Sequence, residues 1–410
     1  MKVLHVIPSL SPSLGGPPQV ALNLVWALRE CGIDAEIVTT NHDGPGYMDF
    51  PLNQRIEYQF GADKNLTVPV WFLPFQPPAL KEFIFSSALT RWLWKHIEDY
   101  DVLDNHYLFS YAPTCAGVIA RRKNIPYTVR TMGQLTPWAL EQSRRKKQAY
   151  TFLIERHNLN QAAAIHCTTA AEAEDVRRFG IQAPTITLPL GVNSPILYAD
   201  AKAQLRSQYN LPVHTPIILF LSRLHYKKRP ELLLESLHQL KAKYNFYAIL
   251  AGSGTPEYLT ELNTLAESLG ISDRVSFPGL ITGKAKDVLL QGSDFFVLPS
   301  FSENFGIAVA EALVSGLPVI ITPGIQIAED VAAARAGLVV EGEVNDLTEA
   351  IEKLLVSTQL RSELGNNGKQ LAQTRYCWKT IAQDLIPIYT SIAARKPLSR
   401  NVQYDSLSKG

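Results

Sequence analysis

The stretch Phe295-Phe296-Val297-Leu298-Pro299-Ser300-Phe301-Ser302-Glu303-Asn304-Phe305-Gly306-Ile307-Ala308-Val309-Ala310-Glu311-Ala312 reads as a buried strand, a short loop and a helix. The opening run is apolar at every residue and short, and the closing run is apolar almost all round, so both elements are covered on both faces. A second apolar run at residues 318–322 follows closely. Strand, helix and strand in that order are the repeating unit of a parallel sheet with helices on both sides.

The same unit recurs in both directions. Upstream lie a strand at 217–222, a helix at 230–244, a strand at 246–251, a helix at 257–269 and a strand at 275–277; downstream a helix is expected near 346–357. The beginning of the chain repeats the rhythm with a strand at 3–7, a loop at 11–18, a helix at 19–31 and a strand at 35–40. Further strands are expected at 102–103, 127–130 and 163–167, with a helix at 112–122. Residues 188–200, with Pro189, Gly191 and Pro195, break the alternation and read as a linker. The expectation is an α/β protein of two Rossmann-like, doubly wound domains, 1–190 and 200–377, facing across a cleft that takes the ligand. The periodic segment 378–394 is expected to pack back on the first domain, and 396–410 to fray.

With 410 residues the chain exceeds what one hydrophobic core usually serves, and 46% hydrophobic residues is ordinary for a globular protein. Its 39 Lys and Arg against 38 Asp and Glu leave a net charge of +1, so nothing global points to nucleic acid and any anion site must be local. Cys31, Cys115, Cys167 and Cys377 are widely separated and form no Cys-x-x-Cys pair, which argues against a zinc site or a disulfide framework and fits a reducing cytosol. Residues 1–10 are too short for a signal peptide, and no stretch approaches the ~20 apolar residues of a spanning helix. A cytoplasmic protein follows, free to touch the inner face of the cell membrane.

Gly306 sits where backbone amides can approach a ligand closely, and free amides at a helix start suit phosphate oxygens. A carboxylate repels phosphate, so the fitting partner of Glu303 or Glu311 is a diol, as ribose and hexoses present. Glu311 is the only charge between Asn304 and Gly316; it is either such a ligand or a solvated or capped glutamate. In Leu219-Phe220-Leu221-Ser222-Arg223-Leu224-His225-Tyr226-Lys227-Lys228-Arg229-Pro230, Arg223 falls at a strand's carboxyl end and Lys228 just ahead of a helix opened by Pro230. These are loop cations in water or cations aimed into the cleft. Taken together, the two cations would stabilise a diphosphate leaving group while the glutamates grip sugar hydroxyls, and no metal is then required. Gly252, in Gly252-Ser253-Gly254 after a strand, is placed to border the nucleotide, but the third glycine of a dinucleotide fingerprint is missing.

These residues resemble glycosyltransferase family 4, the retaining enzymes of the GT-B fold, also called glycosyl transferases group 1. Glu303 and Glu311 fit its Glu-x7-Glu motif, Ser222-Arg223 with Lys228 fit its arginine and lysine pair, and Gly15-Gly16 looks like its glycine loop. The resemblance implies that Glu303 contacts the donor sugar, Glu311 the ribose, and Arg223 and Lys228 the diphosphate. It places Asn304 and the amides of Phe305, Gly306 and Ile307 in the donor site, with Gly279 and Leu280 near the base, and lets the first domain close on the phosphates at Gly16. It further implies front-face transfer in which the leaving phosphate takes the acceptor proton, without a protein nucleophile and without a cofactor beyond the nucleotide sugar.

One departure stands out. The family often has a histidine before a glycine after the strand at 127–130, and here Arg130-Thr131-Met132-Gly133 has Met132 in that place. His106, in Asp104-Asn105-His106 at another strand end, is the alternative acceptor-side candidate, or else a structural histidine. Asp99-Tyr100-Asp101 satisfies a metal-binding Asp-x-Asp pattern in form only and reads as two solvated aspartates. Residues 80–96 mix aromatics with basic residues, and Arg144-Arg145-Lys146-Lys147 follows; the two are a bilayer-docking surface or a core stripe plus a solvated charge run. The function expected is retaining transfer of a hexosyl unit from a UDP- or GDP-sugar to a glycan, a lipid-linked or polysaccharide precursor. The alternatives are a small-acceptor transferase of the sucrose or glycolipid type and a catalytically silent nucleotide-sugar-binding subunit.

Overall fold

The computed structural model describes residues 1–44, 46–61, 65–77, 83–141, 154–399 and 401–403. The chain forms two compact units, Met1–Gly191 with Trp378–Gly410, and Val192–Cys377. The first unit contains β1 (Lys2–Ser9), β2 (Asp34–Thr40), a small antiparallel pair β3 (His42–Asp43) and β4 (Gly46–Tyr47), β5 (Arg55–Phe60), β6 (Leu66–Leu73), β7 (Val102–His106), β8 (Tyr127–Arg130), β9 (Ala164–Cys167) and β10 (Thr185–Thr187). The second contains β11 (Ile217–Leu221), β12 (Tyr247–Ala251), β13 (Val275–Ser276), β14 (Phe295–Leu298), β15 (Val319–Ile321) and β16 (Gly337–Val339). The chain then returns to the first unit, where β17 (Asn401–Gln403) pairs with β10.

Among the described residues the first sheet has the order β17-β10-β9-β8-β7-β1-β2-β6-β5, parallel but for the antiparallel edge strand β5. The second has the order β13-β12-β11-β14-β15-β16, with its strands parallel. Each order reverses once, between β1 and β7 in the first sheet and between β11 and β14 in the second. Loops leaving two adjacent strands toward opposite faces open a crevice at their carboxyl ends, where doubly wound sheets take ligands.

Several elements differ from the sequence expectation for local reasons. The first helix is Gly16–Glu30, not 19–31, because Pro17 and Pro18 occupy its first turn, where a missing N–H leaves no intrahelical bond unmade. The strand expected at 102–103 runs on to His106, since the polar side chains of Asp104, Asn105 and His106 are fully buried along it. The helix expected to end at 244 stops at Leu240. Residues 192–200, read as part of the linker, belong to the second unit, where Val192 N donates to Tyr376 O (2.7 Å).

The C-terminal helix Trp378–Ala393 packs against β7 and the first helix, burying Ile381, Leu385, Ile388 and Tyr389. Asp101 accepts from Lys2 N (2.7 Å), and Asp99 lies 3.4 Å from His96, both at the amino end of β7, away from the ligand edge. The helix Ser87–His96 buries Leu89, Trp92 and Leu93 and leaves Trp94 exposed. Arg144, Arg145, Lys146 and Lys147 lie outside the described residues. No helix of the described residues is long and apolar enough to cross a membrane.

Candidate active site

Both loops that leave the reversal point of the second sheet carry charge. After β11 the chain passes half-buried Ser222 and exposed Arg223 into a single 3-10 turn, Tyr226–Lys228. Arg229 takes a left-handed conformation (φ 55°), and Pro230 opens the helix Pro230–Leu240. After β14, residues 299–305 cross the strand ends and Gly306 (φ 89°) starts the helix Ile307–Val314. A Cβ at 306 would lie 2.9 Å from Ile325 Cγ2, so dihedral and packing both hold the position to glycine.

The two loops are bonded together. The Lys227 carbonyl accepts from Phe301 N (2.9 Å) and Ser300 Oγ (3.1 Å), and the Arg229 guanidinium lies 4.3 Å from the centre of the Phe301 ring. Lys228 Nζ donates to Glu303 Oε1, and both side chains are largely buried. Glu303 is fixed through its backbone as well, donating to Gly324 O (3.0 Å) and accepting from Gln326 N (3.2 Å). A lysine and a glutamate from different βα units are thus presented side by side.

Positive charge is concentrated along this edge. Burial, with Arg223, Lys228 and Lys227 behind it, pushes the His225 imidazole below its ordinary value. Burial likewise lowers the Lys227 amine, and Lys228 and Arg223 add to the effect against Glu303. Cations that disfavour one another's charge are relieved by an anion.

Glu311, five residues into its helix, meets Lys286 Nζ at 2.7 Å, from the helix Gly283–Gly292. The sequence made Glu311 a lone charge; the structure pairs it. Gly252 N donates to Gly279 O (2.8 Å), and a Cβ at 252 would lie 1.7 Å from Ser222 O, so this glycine lets the end of β12 pass close to the Ser222 turn. Leu280 beside it is 70% exposed. Phe305 is buried edge-on to Tyr376, which leaves its backbone and not its ring for a ligand, and Asn304 is half-buried in the same loop.

The remaining expected residues belong to the first unit. Gly15 (φ 80°) caps the first helix, of which Gly16 is the first residue. Half-buried Met132 (φ 51°) and Gly133 (φ 74°) form the turn after β8. Of the two readings of His106, the structure matches the structural histidine and not the ligand-facing one: it is fully buried, with Nε2 3.0 Å from His5 Nδ1. Strand register explains this, since His5 lies beside Asp104, and His106, Arg130 and His166 form one row across β7, β8 and β9, all on one face.

Asp104 organises that row. It accepts from Arg130 Nε (2.7 Å), Thr128 Oγ1 (3.0 Å) and Tyr389 Oη of the C-terminal helix (2.5 Å). Burial lowers His5 to about 4 and His166 to about 3, with Arg130 pushing the same way. Burial opposes the charge on Asp104, but Arg130 and the histidines hold its carboxyl far below the usual range. His5, Asp104 and His106 are near enough to be tested as a metal triad. The carboxylate is already committed to Arg130 and Tyr389, however, and the guanidinium repels a cation.

Sequence reasoning missed Lys286 and the Asp104 network, which arise from contacts between distant elements. It also missed Glu172, whose Thr169-x-x-Glu172 spacing carries the mark of a helix start.

Residues 201–371 match the family described as glycosyl transferases group 1, and residues 15–191 match the glycosyl transferase 4-like domain. The D-inositol 3-phosphate glycosyltransferase of Xylanimonas cellulosilytica is 28% identical over 428 residues, covering 97% of each chain. The GDP-mannose-dependent alpha-(1-6)-phosphatidylinositol monomannoside mannosyltransferase of Mycobacterium tuberculosis is 31% identical over 220 residues, 50% of this chain and 56% of its own length. Among solved structures, Anabaena Alr3699/HepE in complex with UDP and glucose has a TM-score of 0.74 at 20% identity, covering 95% of this chain and 100% of that one. Sucrose-phosphate synthase from Thermosynechococcus elongatus has a TM-score of 0.73 at 22% identity, covering 97% and 100%. These likenesses establish the fold as GT-B.

Proposed function

We propose that this chain, which belongs to the glycosyl transferases group 1 and has the GT-B fold, moves a hexosyl unit from a UDP- or GDP-sugar to a glycan, a lipid-linked or polysaccharide precursor, with retention of configuration. The observation that carries the reading is the Lys228–Glu303 pair beside Arg223 and the Gly306 helix start, at the reversal point of the second sheet. The donor's diphosphate takes Lys228, Arg223 and the amides of Phe305, Gly306 and Ile307. Glu303, released from Lys228, accepts the sugar hydroxyls, and Glu311 accepts the ribose diol. Ser222, Gly252, Gly279, Leu280 and Asn304 border the nucleotide; in the first unit, the further candidates Gly15, Gly16 and Met132 stand at the helix start after β1 and in the turn after β8.

As the bond from the anomeric carbon to phosphate breaks, its electron pair stays on the phosphate oxygen, where Lys228 and Arg223 stabilise the charge. The acceptor hydroxyl bonds to the anomeric carbon on the same face and gives its proton to that oxygen. Atoms and charge balance without a protein nucleophile, metal or further cofactor.

A small sugar or polyol acceptor is the second reading, supported by the full-length likeness to an enzyme named for D-inositol 3-phosphate. The test is nucleoside diphosphate release from UDP-glucose and GDP-mannose with glycan, lipid-linked and small acceptors. Loss of one donor to the developing charge lowers the rate by about 10²–10³, so Lys228→Ala should fall by that factor, and Glu303→Ala, which loses the acceptor for the sugar hydroxyls, should also fall. Variants that turn over like the wild type would remove these residues from the mechanism. A wild type inert to every donor but still binding nucleotide would point to a silent binding subunit.

A further inference from the structure

Glu172 stands on the helix Ala170–Arg178 of the first unit and is 1% exposed. Thr169 Oγ1 accepts from its N–H (3.1 Å), as at an ordinary helix start. The carboxylate reaches off its own helix. Oε1 accepts from Thr131 Oγ1 (2.5 Å) and Gly133 N (2.6 Å), and Oε2 from Thr168 N (2.7 Å) and Thr168 Oγ1 (2.8 Å). A buried carboxylate needs donors on both oxygens. Here one oxygen takes them from the turn that leaves β8.

That turn holds Met132 and Gly133 in left-handed backbone, a conformation a non-glycine residue keeps only where its surroundings over-determine it. The turn leaving β7 is of the same kind, with Tyr107 at φ 82° and Phe109 at φ 55°. The two are joined by Leu108 N donating to Gln134 Oε1 (2.6 Å) and Tyr107 N donating to Arg130 O (3.2 Å). Both leave adjacent strands next to the point where the first sheet reverses its order. Strained backbone gathered at that edge of a doubly wound sheet is a mark of a functional rim.

We infer that Glu172 is a positioning residue, which clamps Thr131 and Gly133 so that Met132 is held in the conformation the reaction uses. The inference rests on the reading of Met132 as part of the reacting face. With Gln in place of Glu, an amide group must face Thr168 or the turn, and a donor meets donors. The clamp then opens while the Lys228–Glu303 site in the other unit is untouched.

The chain has three methionines, Met1, Met48 and Met132, so methyl-labelled methionine gives a direct view of the turn, with Met132→Leu to assign its signal. The expected result for Glu172→Gln is a moved or broadened Met132 signal with Met48 unchanged. Nucleoside diphosphate release from UDP-glucose or GDP-mannose, whichever the wild type uses, should fall at least tenfold in kcat, with UDP and GDP affinity within twofold of wild type. Thr131→Val, a milder change, should lie between. An unmoved Met132 signal, or unchanged kcat in Glu172→Gln, overturns the inference, as does a loss of kcat matched by loss of nucleotide affinity in both variants. A wild type without turnover overturns the transfer reading and the catalytic role with it, while the Met132 signal still decides whether Glu172 sets the turn.

Discussion

Lys228 and Glu303 hold each other in place, and on the proposed reading each loses that partner when a diphosphate and a sugar arrive together. The same holds for Glu311 and Lys286. Such pairs keep two partly buried carboxylates neutralised. A double-mutant cycle with Lys228→Met and Glu303→Gln, followed by urea unfolding, should return a coupling of about 0.5–3 kcal/mol, because each single variant leaves one side chain without its partner. Additive effects would mean that the two do not interact in solution. Arg223, exposed and outside this pair, should affect turnover without entering the stability cycle.

At the level of elements, the C-terminal helix is tied to β7 through Tyr389 and Asp104, within a row of buried histidines. This makes stability depend on pH with a definite sign. An imidazole ordinarily titrates near 6.5, whereas His5 and His166 are held at about 4 and about 3. Between those values the unfolded chain binds more protons than the folded one. Stability is therefore complete above about pH 6.5 and falls as the pH drops toward 4 and then 3, by up to about 1.4 kcal/mol per pH unit for each histidine. Asp104 adds its own loss only below about pH 4, where an unfolded aspartate takes up a proton. Denaturant unfolding from pH 7 to 4 should give this slope, and His166→Gln should make it shallower; a flat profile would contradict the buried row.

The same elements show where sequence was readable. β11 and β14 were legible because they are apolar at every position, and the short loops after them could be matched to a family by Arg223, Lys228, Glu303 and Glu311. β7 was legible for only its first residues, because Asp104 and His106 look like loop residues until Arg130, Tyr389 and His5 are brought to them from far along the chain. That is also why the sequence left His106 open as an acceptor-side candidate or a structural histidine. The start of the first helix was misplaced for an opposite reason: Pro17 and Pro18 read as loop residues but are at home in a first turn. Lys286 acts through a tertiary contact that leaves no trace in the sequence, and Glu172 shows there only its helix-start spacing, not its reach to Thr131 and Gly133.

For the whole molecule, two mainly parallel sheets with one reversal each provide two carboxyl edges suited to ligands, and the proposed reading places the donor at the edge of the second unit, where the Lys228–Glu303 and Lys286–Glu311 pairs stand. A net charge of +1 gives no global attraction for such a donor, so on this reading the attraction must come from the local cluster. Thermal unfolding with UDP-glucose, GDP-mannose and ADP-glucose tests this most directly, since a ligand bound only to the folded chain stabilises it by about 2.7 kcal/mol at a hundred times its Kd. One of the UDP or GDP sugars should raise the melting temperature, and Lys228→Ala should abolish the rise. A melting temperature unmoved by every nucleotide sugar would contradict the account.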